Sequence, residues 1–507
     1  METTKDPQFS LRTVILLASL VLLGLAVRVA HWHPGSGSDD ARYMNYAAMM
    51  GHGERVTDYD PVQVRPVYLA YLAGWMHLFG FNTTSCAAAG FVVWAGTALL
   101  LFALTASLAG YSAGLAAVFL YDFVPVDIIQ STGIYPDHLM TAFALGASLV
   151  YFSAMRADTT GRRMLLALVA GILLGLSFST KQAAVLVGAT IGLHLLITAE
   201  QKRRWLEILA PMALGGLLVL LAECGVFALW TGDPFFRAHS GVLTNPQTAP
   251  PVESRDLKFA LGHVLRGIDS LGAYGIYCYL LVGAVLLSVN RRNWACAFPL
   301  IWCTAFAVYL SVGSQFLARY QLIAKAPRYF LPVLIVGCAL CAMELVHASR
   351  VLRIRGIAAA GLAAALVVVS LWATRLNSPT HAPELARALN HLNEKETKNF
   401  VVLRSFVRRQ PLELREVAGR FHQIDPDAAS SPDALLARLE GRGLAVPNVP
   451  WFGFGEVNDR LSAPGVPFEK EEIHGPAWPP YKRWFGLGAQ DECVGFIYWP
   501  RSQPRTR

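Results

Sequence analysis

Up to about Trp372 the chain is a succession of apolar runs separated by short polar clusters; beyond Ala373 acidic and basic residues mix as in a globular protein. A bilayer core of about 30 Å takes about 20 apolar residues per helix. The pattern therefore predicts membrane-spanning helices over residues 12–29, 85–104, 107–124, 137–154, 163–178, 181–197, 208–230, 269–290, 295–313, 328–346 and 355–373. The stretch Pro66 to Phe81, with Trp75, Phe79 and Phe81, is too short to span and rich in aromatics, which predicts an amphipathic helix lying along the interface. In the last part, Glu384–Asn393 and Pro432–Gly441 carry a helical pattern and Asn399–Leu403 reads as a strand, predicting a small α/β or α+β lobe. The expected architecture is a polytopic α-helical membrane protein: a module over 1–374, with long loops at 30–84 and 231–268, and a soluble domain over 375–507.

Charge orients this bundle. With the N-terminus in the cytoplasm, alternate connections carry Arg156, Arg162 and Arg163; Lys202, Arg203 and Arg204; Arg291 and Arg292; and Arg350, Arg353 and Arg355, all on the side of Lys5 and Arg12. That is the positive-inside arrangement. Eleven spans then place residues 375–507 outside the cell or in the periplasm. The residues up to Arg12 resemble a signal-peptide n-region, but no small-residue cleavage site follows, so 12–29 is read as a retained helix.

Composition agrees: 54% of residues are hydrophobic and 15% charged, against about 25% charged in soluble proteins. The net charge of +8 is accounted for by topology, so no nucleic-acid partner is expected. The eight cysteines have neither metal-site nor disulfide-framework spacing.

Against this background the polar residues of the outer face stand out. Asp39 and Asp40 lie in Gly37-Ser38-Asp39-Asp40-Ala41-Arg42-Tyr43, before a helical run to Met50. Ser38 or Asp39 can cap that helix, and of the two aspartates one can cap while the other faces a substrate. Asp137 in Tyr135-Pro136-Asp137-His138 suits the first turn of a helix, and His138 beside it can bond a hydroxyl or a cation. Arg65, Lys181, Arg319, Lys325 and Arg328 sit on the side where basic residues are otherwise scarce. Snorkelling accounts for any one of them; several beside carboxylates suit an anionic headgroup. Trp230-Thr231-Gly232-Asp233-Pro234-Phe235-Phe236, followed by His239, is a helix exit and turn.

In order and position these strings resemble the GT-C superfamily of polyprenyl-phosphate-sugar-dependent glycosyltransferases. They include Asp39-Asp40 with Tyr43, Arg65-Pro66 leading to Phe79-Gly80, Tyr135-Pro136-Asp137 and Gly175-Leu176 leading to Thr180-Lys181. Thr231-Gly232-Asp233-Pro234 and Arg328-Tyr329-Phe330-Leu331-Pro332 continue the series. The resemblance covers most of residues 10–375. It is nearest to the bacterial aminoarabinose and galacturonic acid transferases of lipid A, and more distantly to protein O-mannosyltransferases.

The resemblance implies a bacterial cytoplasmic-membrane enzyme with a polyprenyl-phosphate-linked sugar donor, a membrane lipid, and a lipid, glycan or protein acceptor. Asp39 falls on the family's proposed catalytic aspartate and Asp40 on its acidic neighbour. Lys181, Arg328 and Arg65 fall on donor-phosphate positions, with Tyr43, Asp137, His138, Asp233, His239 and Tyr329 as further substrate or cation-site candidates. Some relatives carry a metal-binding glutamate before the basic residue of the first loop; Val64 stands there here. A divalent metal is therefore left open, with Asp137, His138 and His239 as its alternative ligands. A carboxylate beside the acceptor hydroxyl, with no second nucleophile, implies general-base attack and inversion at the sugar C1. Two other classes compete: a transporter or flippase of lipid-linked sugars, which predicts an internal repeat and broken helices at the bilayer midplane, and a non-catalytic glycan-binding subunit.

Overall fold

Helix boundaries in this chain follow local chemistry. Ser10 caps α1 (Leu11–Ala30), its side chain accepting from the Thr13 amide. After α2 (Asp39–Gly51), Pro66 opens α3 (Pro66–Phe79), where a missing N–H costs nothing, and Gly80 closes it at φ +97°. Asn82 caps α4 (Thr83–Ala109), its carbonyl oxygen accepting from the Ser85 amide at 2.8 Å. The short helices α5 (Tyr111–Asp122) and α6 (Pro125–Thr132) meet at a 71° bend, and Pro125 at the start of α6 cannot continue α5's hydrogen bonding.

The bundle continues through α7 (Pro136–Arg156), α8 (Thr160–Thr180), a 3-10 turn over Gln182–Ala184, α9 (Val185–Thr198), α10 (Lys202–Trp230) and α11 (Phe236–Leu243). It is completed by α12 (Tyr277–Arg291), α13 (Ala297–Val312), α14 (Leu331–Leu352) and α15 (Gly356–Leu376). This computed structural model describes residues 10–32, 39–55, 62–132, 134–198, 202–243, 276–291, 296–312, 327–352 and 356–376, with Tyr274. In the C-terminal part it describes the strands of one sheet and a few residues between them.

Each of the eleven predicted segments overlaps a helix, 107–124 the end of α4 and all of α5, while residues 269–273 and 275 of one segment lie outside the described residues. Among the described residues six helices (α1, α4, α7, α8, α10 and the span opening at Arg328) are long and apolar enough to cross a membrane, or seven if the bent α5–α6 pair is one span. The count of eleven is thus supported only in part. Helices α9, α12 and α13 are apolar but shorter. The break at Lys181 separates α8 from α9; segment 107–124 takes in the end of α4, the break at Gly110 and α5, and the bend into α6 follows it at Pro125.

Two apolar clusters hold the helices together. One runs through the bundle, from Leu17 and Trp94 to Trp302 and Phe306. The other is an outer layer in which Tyr43, Met44 and Ala47 of α2 meet Tyr68, Leu72 and Met76 of α3, with Phe227, Trp230 and Phe236 beside them. The helix predicted within Pro66 to Phe81 is α3, and one side of it is buried in this layer. Helices α8 and α10 touch backbone to backbone: a Cβ on Gly171 would stand 2.0 Å from the Met212 carbonyl oxygen.

The C-terminal part holds a five-stranded mixed sheet of β1 (Phe400–Leu403), β2 (His422–Ile424), β3 (Gly443–Pro447), β4 (Phe468–His474) and β5 (Cys493–Pro500), in the order β2-β1-β3-β5-β4. Strands β2, β1 and β3 are parallel, while β5 pairs antiparallel with β3 and β4. Strand β1 is the one predicted over 399–403. The helical patterns at 384–393 and 432–441 lie almost wholly outside the described residues, as do Arg319 and Lys325.

Candidate functional site

The carboxylate of Asp39 sits in the first turn of α2, where negative charge is favoured by the helix dipole. Arg328, from the 3-10 turn Pro327–Phe330 that opens α14, donates to its Oδ2 at 2.6 Å. Arg42, one turn along α2, donates to Oδ1 at 3.3 Å. Asp39 keeps 25% of its side chain exposed and Arg328 18%, so the pair borders open space rather than the core. Burial pushes the Asp39 carboxyl up. The charges of Arg328, Arg42 and Arg65 and the Arg328 hydrogen bond outweigh it, leaving the group below the usual carboxylate value.

One residue on, and so turned about 100° around the helix, Asp40 is fully buried. The two neighbouring aspartates differ in exposure, Asp39 being part-exposed beside Arg328 and Asp40 fully buried.

Arg328 lies with its guanidinium carbon 4.5 Å from the Tyr135 ring centre and 5.4 Å from that of Tyr329. Lys181 Nζ lies 4.4 Å from the same Tyr329 ring and pairs with Asp137 in the first turn of α7. Arg65 lies over the Tyr43 ring at 5.2 Å, and its charge acts on both Asp39 and Asp137. Three cations and two carboxylates from five stretches of chain are thus linked through Tyr43, Tyr135 and Tyr329. The cation–ring contacts hold Arg65, Lys181 and Arg328 without consuming all their donors.

The remaining sequence candidates lie elsewhere. His138 follows Asp137 but turns inward: its Nε2 donates to Asp127 at 2.6 Å, and both are buried. Arg28 of α1 pairs with the other oxygen of Asp127 and lies 4.0 Å over the Trp94 ring. Asp233 and His239 pair with each other at 2.6 Å beyond α10, and the His239 bond lowers the Asp233 pKa. The three alternative metal ligands Asp137, His138 and His239 are therefore each engaged with a different partner. Among the described residues no group of three or more His, Cys, Asp or Glu is placed to hold a metal ion.

Several participants were not singled out from the sequence. Arg42 had a signal, its three-residue spacing from Asp39. Tyr135 had one in preceding Pro136, and Arg28 had one as a charge inside a predicted span. Glu223 and Arg237, paired beside the end of α8, are 14 residues apart across a turn and had none.

Residues 61–230 match the family described as dolichyl-phosphate-mannose-protein mannosyltransferase. No curated protein sequence matches the chain. Among solved structures, the oligosaccharyltransferase of Archaeoglobus fulgidus in complex with Zn and sulfate aligns at 13% identity and TM-score 0.56, over 81% of this chain and 62% of that one. The chain thus spans less than two thirds of that relative's length. ArnT from Cupriavidus metallidurans bound to undecaprenyl phosphate aligns at 14% identity and TM-score 0.56, over 97% of this chain and 99% of that one. Archaeal AglB from Archaeoglobus fulgidus in complex with an inhibitory peptide and a dolichol-phosphate aligns at 14% identity and TM-score 0.52, over 86% of this chain and 69% of that one.

The chain shares its fold with these solved structures.

Proposed function

We propose that this protein is an inverting glycosyltransferase that moves a sugar from a polyprenyl phosphate to a hydroxyl-bearing acceptor at the outer face of a bacterial cytoplasmic membrane. The observation that carries the reading is the placement of an ionised, part-exposed Asp39 against Arg328, beside Lys181 and Arg65. The acceptor oxygen attacks C1 of the sugar while the bond from C1 to the phosphate oxygen breaks. Asp39 takes the hydroxyl proton, and the leaving polyprenyl phosphate gains a negative charge that Lys181, Arg328 and Arg65 offset. A carboxylate offers about four lone-pair positions, and the two arginine contacts leave room for the acceptor proton. Attack on C1 from the side opposite the phosphate, with no covalent intermediate, gives inversion.

The donor needs no nucleotide, which agrees with the absence of a phosphate-binding glycine loop from the sequence. The undecaprenyl phosphate bound to ArnT and the dolichol-phosphate bound to AglB are ligands of the chemical kind this cluster suits. The test is to offer the purified protein a panel of polyprenyl-phosphate sugars with lipid, glycan and peptide acceptors and detect products by mass spectrometry. Transfer that disappears in Asp39→Asn is the expected result. Transfer at full rate in that variant refutes Asp39 as the base, and no product from any donor refutes the class.

A further inference from the structure

The last carbonyls of a helix have no partner within it, and α8 ends at Thr180, immediately before a lysine of the candidate site. Lys181 leaves the helix extended, at φ −159° and ψ 128°, its amide still bonded to the Ser177 carbonyl. Gln182–Ala184 then form a 3-10 turn in which the Ala184 amide returns to the Lys181 carbonyl. The Ser179 carbonyl, in the last turn of α8, is taken by a residue from another element: Arg237 Nη2 of α11 donates to it at 3.3 Å. The same guanidinium lies 5.2 Å from the Phe178 ring centre. Its fork closes on Glu223 of α10, Nε to Oε1 at 2.6 Å and Nη2 to Oε2 at 2.9 Å.

We infer that Arg237 and Glu223 are a positioning pair for the donor-phosphate lysine. Glu223, buried on a membrane-spanning helix, holds the planar fork in one orientation, and the fork caps α8. Cation at carbonyl terminus is the favourable sense of the helix dipole. The cap fixes where α8 stops, and so where Lys181 turns out to meet Asp137 and Tyr329. Neither residue touches the cluster itself; they act through the backbone of residues 177–181. The consequence for donor binding rests on the proposed function, whereas the capping itself does not.

Two measurements on the full chain separate these. In detergent, amide exchange across residues 179–184 is compared in the native protein, Arg237→Ala, Arg237→Lys and the charge swap Glu223→Arg with Arg237→Glu. Loss of a charged hydrogen bond predicts exchange faster by about tenfold or more in this segment for Arg237→Ala, with α4 unchanged. Arg237→Lys keeps a cation against Glu223 and guards against misfolding; it gives a smaller increase. The swap restores the ion pair but places a carboxylate against a carbonyl, so exchange stays fast. Native exchange in Arg237→Ala, or full recovery in the swap, overturns the capping role.

Undecaprenyl phosphate alone is the second probe. Lys181→Ala and Arg237→Ala are each expected to weaken its binding by about tenfold, and the double variant no further, because the two act as one unit. Losses that multiply refute action through Lys181. If the native protein does not bind this lipid, the donor-site reading fails, and the exchange result still decides the cap.

Discussion

Arg328 and Asp39 are 289 residues apart in the chain and 2.6 Å apart in space. Their bond joins the start of a late helix to the first turn of α2. It also sets the charge state of the group proposed to take the acceptor proton.

Acidity follows from it. The folded pKa of Asp39 lies below its ordinary value, which is about 3.9 in an unfolded chain. A depressed carboxylate stabilises the fold fully above the unfolded value and loses that contribution as pH falls through the folded one. The acid limb of kcat/KM is therefore expected below about pH 4. In Arg328→Met burial meets less opposition and the limb moves up. A pH–rate profile with an unmoved limb dissociates Asp39 from the rate.

Replacing Asp39 by Asn keeps the shape and removes the base. Transfer is expected to fall by about 10²- to 10⁴-fold, the usual share of general-base catalysis, with the melting temperature nearly unchanged. Asp40→Asn, at a fully buried position, is expected to show the opposite balance: a lower melting temperature and a smaller direct effect on chemistry. Measuring rate and melting in parallel distinguishes the two carboxylates.

Lysine is a poor substitute for Arg328, because the guanidinium is held between Asp39 and two tyrosine rings, a planar arrangement an ammonium does not reproduce. Arg328→Lys is expected to raise the donor KM by about tenfold, on the scale of one lost charged hydrogen bond. A steady-state titration of donor lipid reads this directly; an unchanged KM assigns the residue to structure alone.

Stability turns on a different contact. A methyl on Gly171 would strike the Met212 backbone, which a side-chain shift cannot relieve, whereas nothing lies within 4 Å of a methyl on Gly188. Gly171→Ala is expected to cost at least about 1–3 kcal/mol and Gly188→Ala almost nothing. Thermal unfolding in detergent compares them, and equal melting temperatures exclude close α8–α10 packing.

Much of the helical framework was readable in advance because apolar length is a direct consequence of bilayer thickness, and Asp39, Arg65, Lys181 and Arg328 were readable as polar residues out of place. Which of them pair was not. Asp137 and Lys181 are 44 residues apart, and nothing local specifies that pairing. His138 illustrates the limit: adjacent in sequence to Asp137, it points to Asp127 because successive helical residues diverge by about 100°. The 71° bend between α5 and α6 was likewise hidden, since hydropathy counts apolar residues and not their direction, although Pro125 marked the place.

The buried Arg28 bears on how the chain is made. Its carboxylate partner Asp127 lies 99 residues later, and His138, which shares that carboxylate, later still. When α1 first emerges from the ribosome its arginine has no counter-ion, and its only outlet is to stretch toward the lipid headgroups. The ion pair that neutralises Arg28 therefore forms only once α6 has been synthesised.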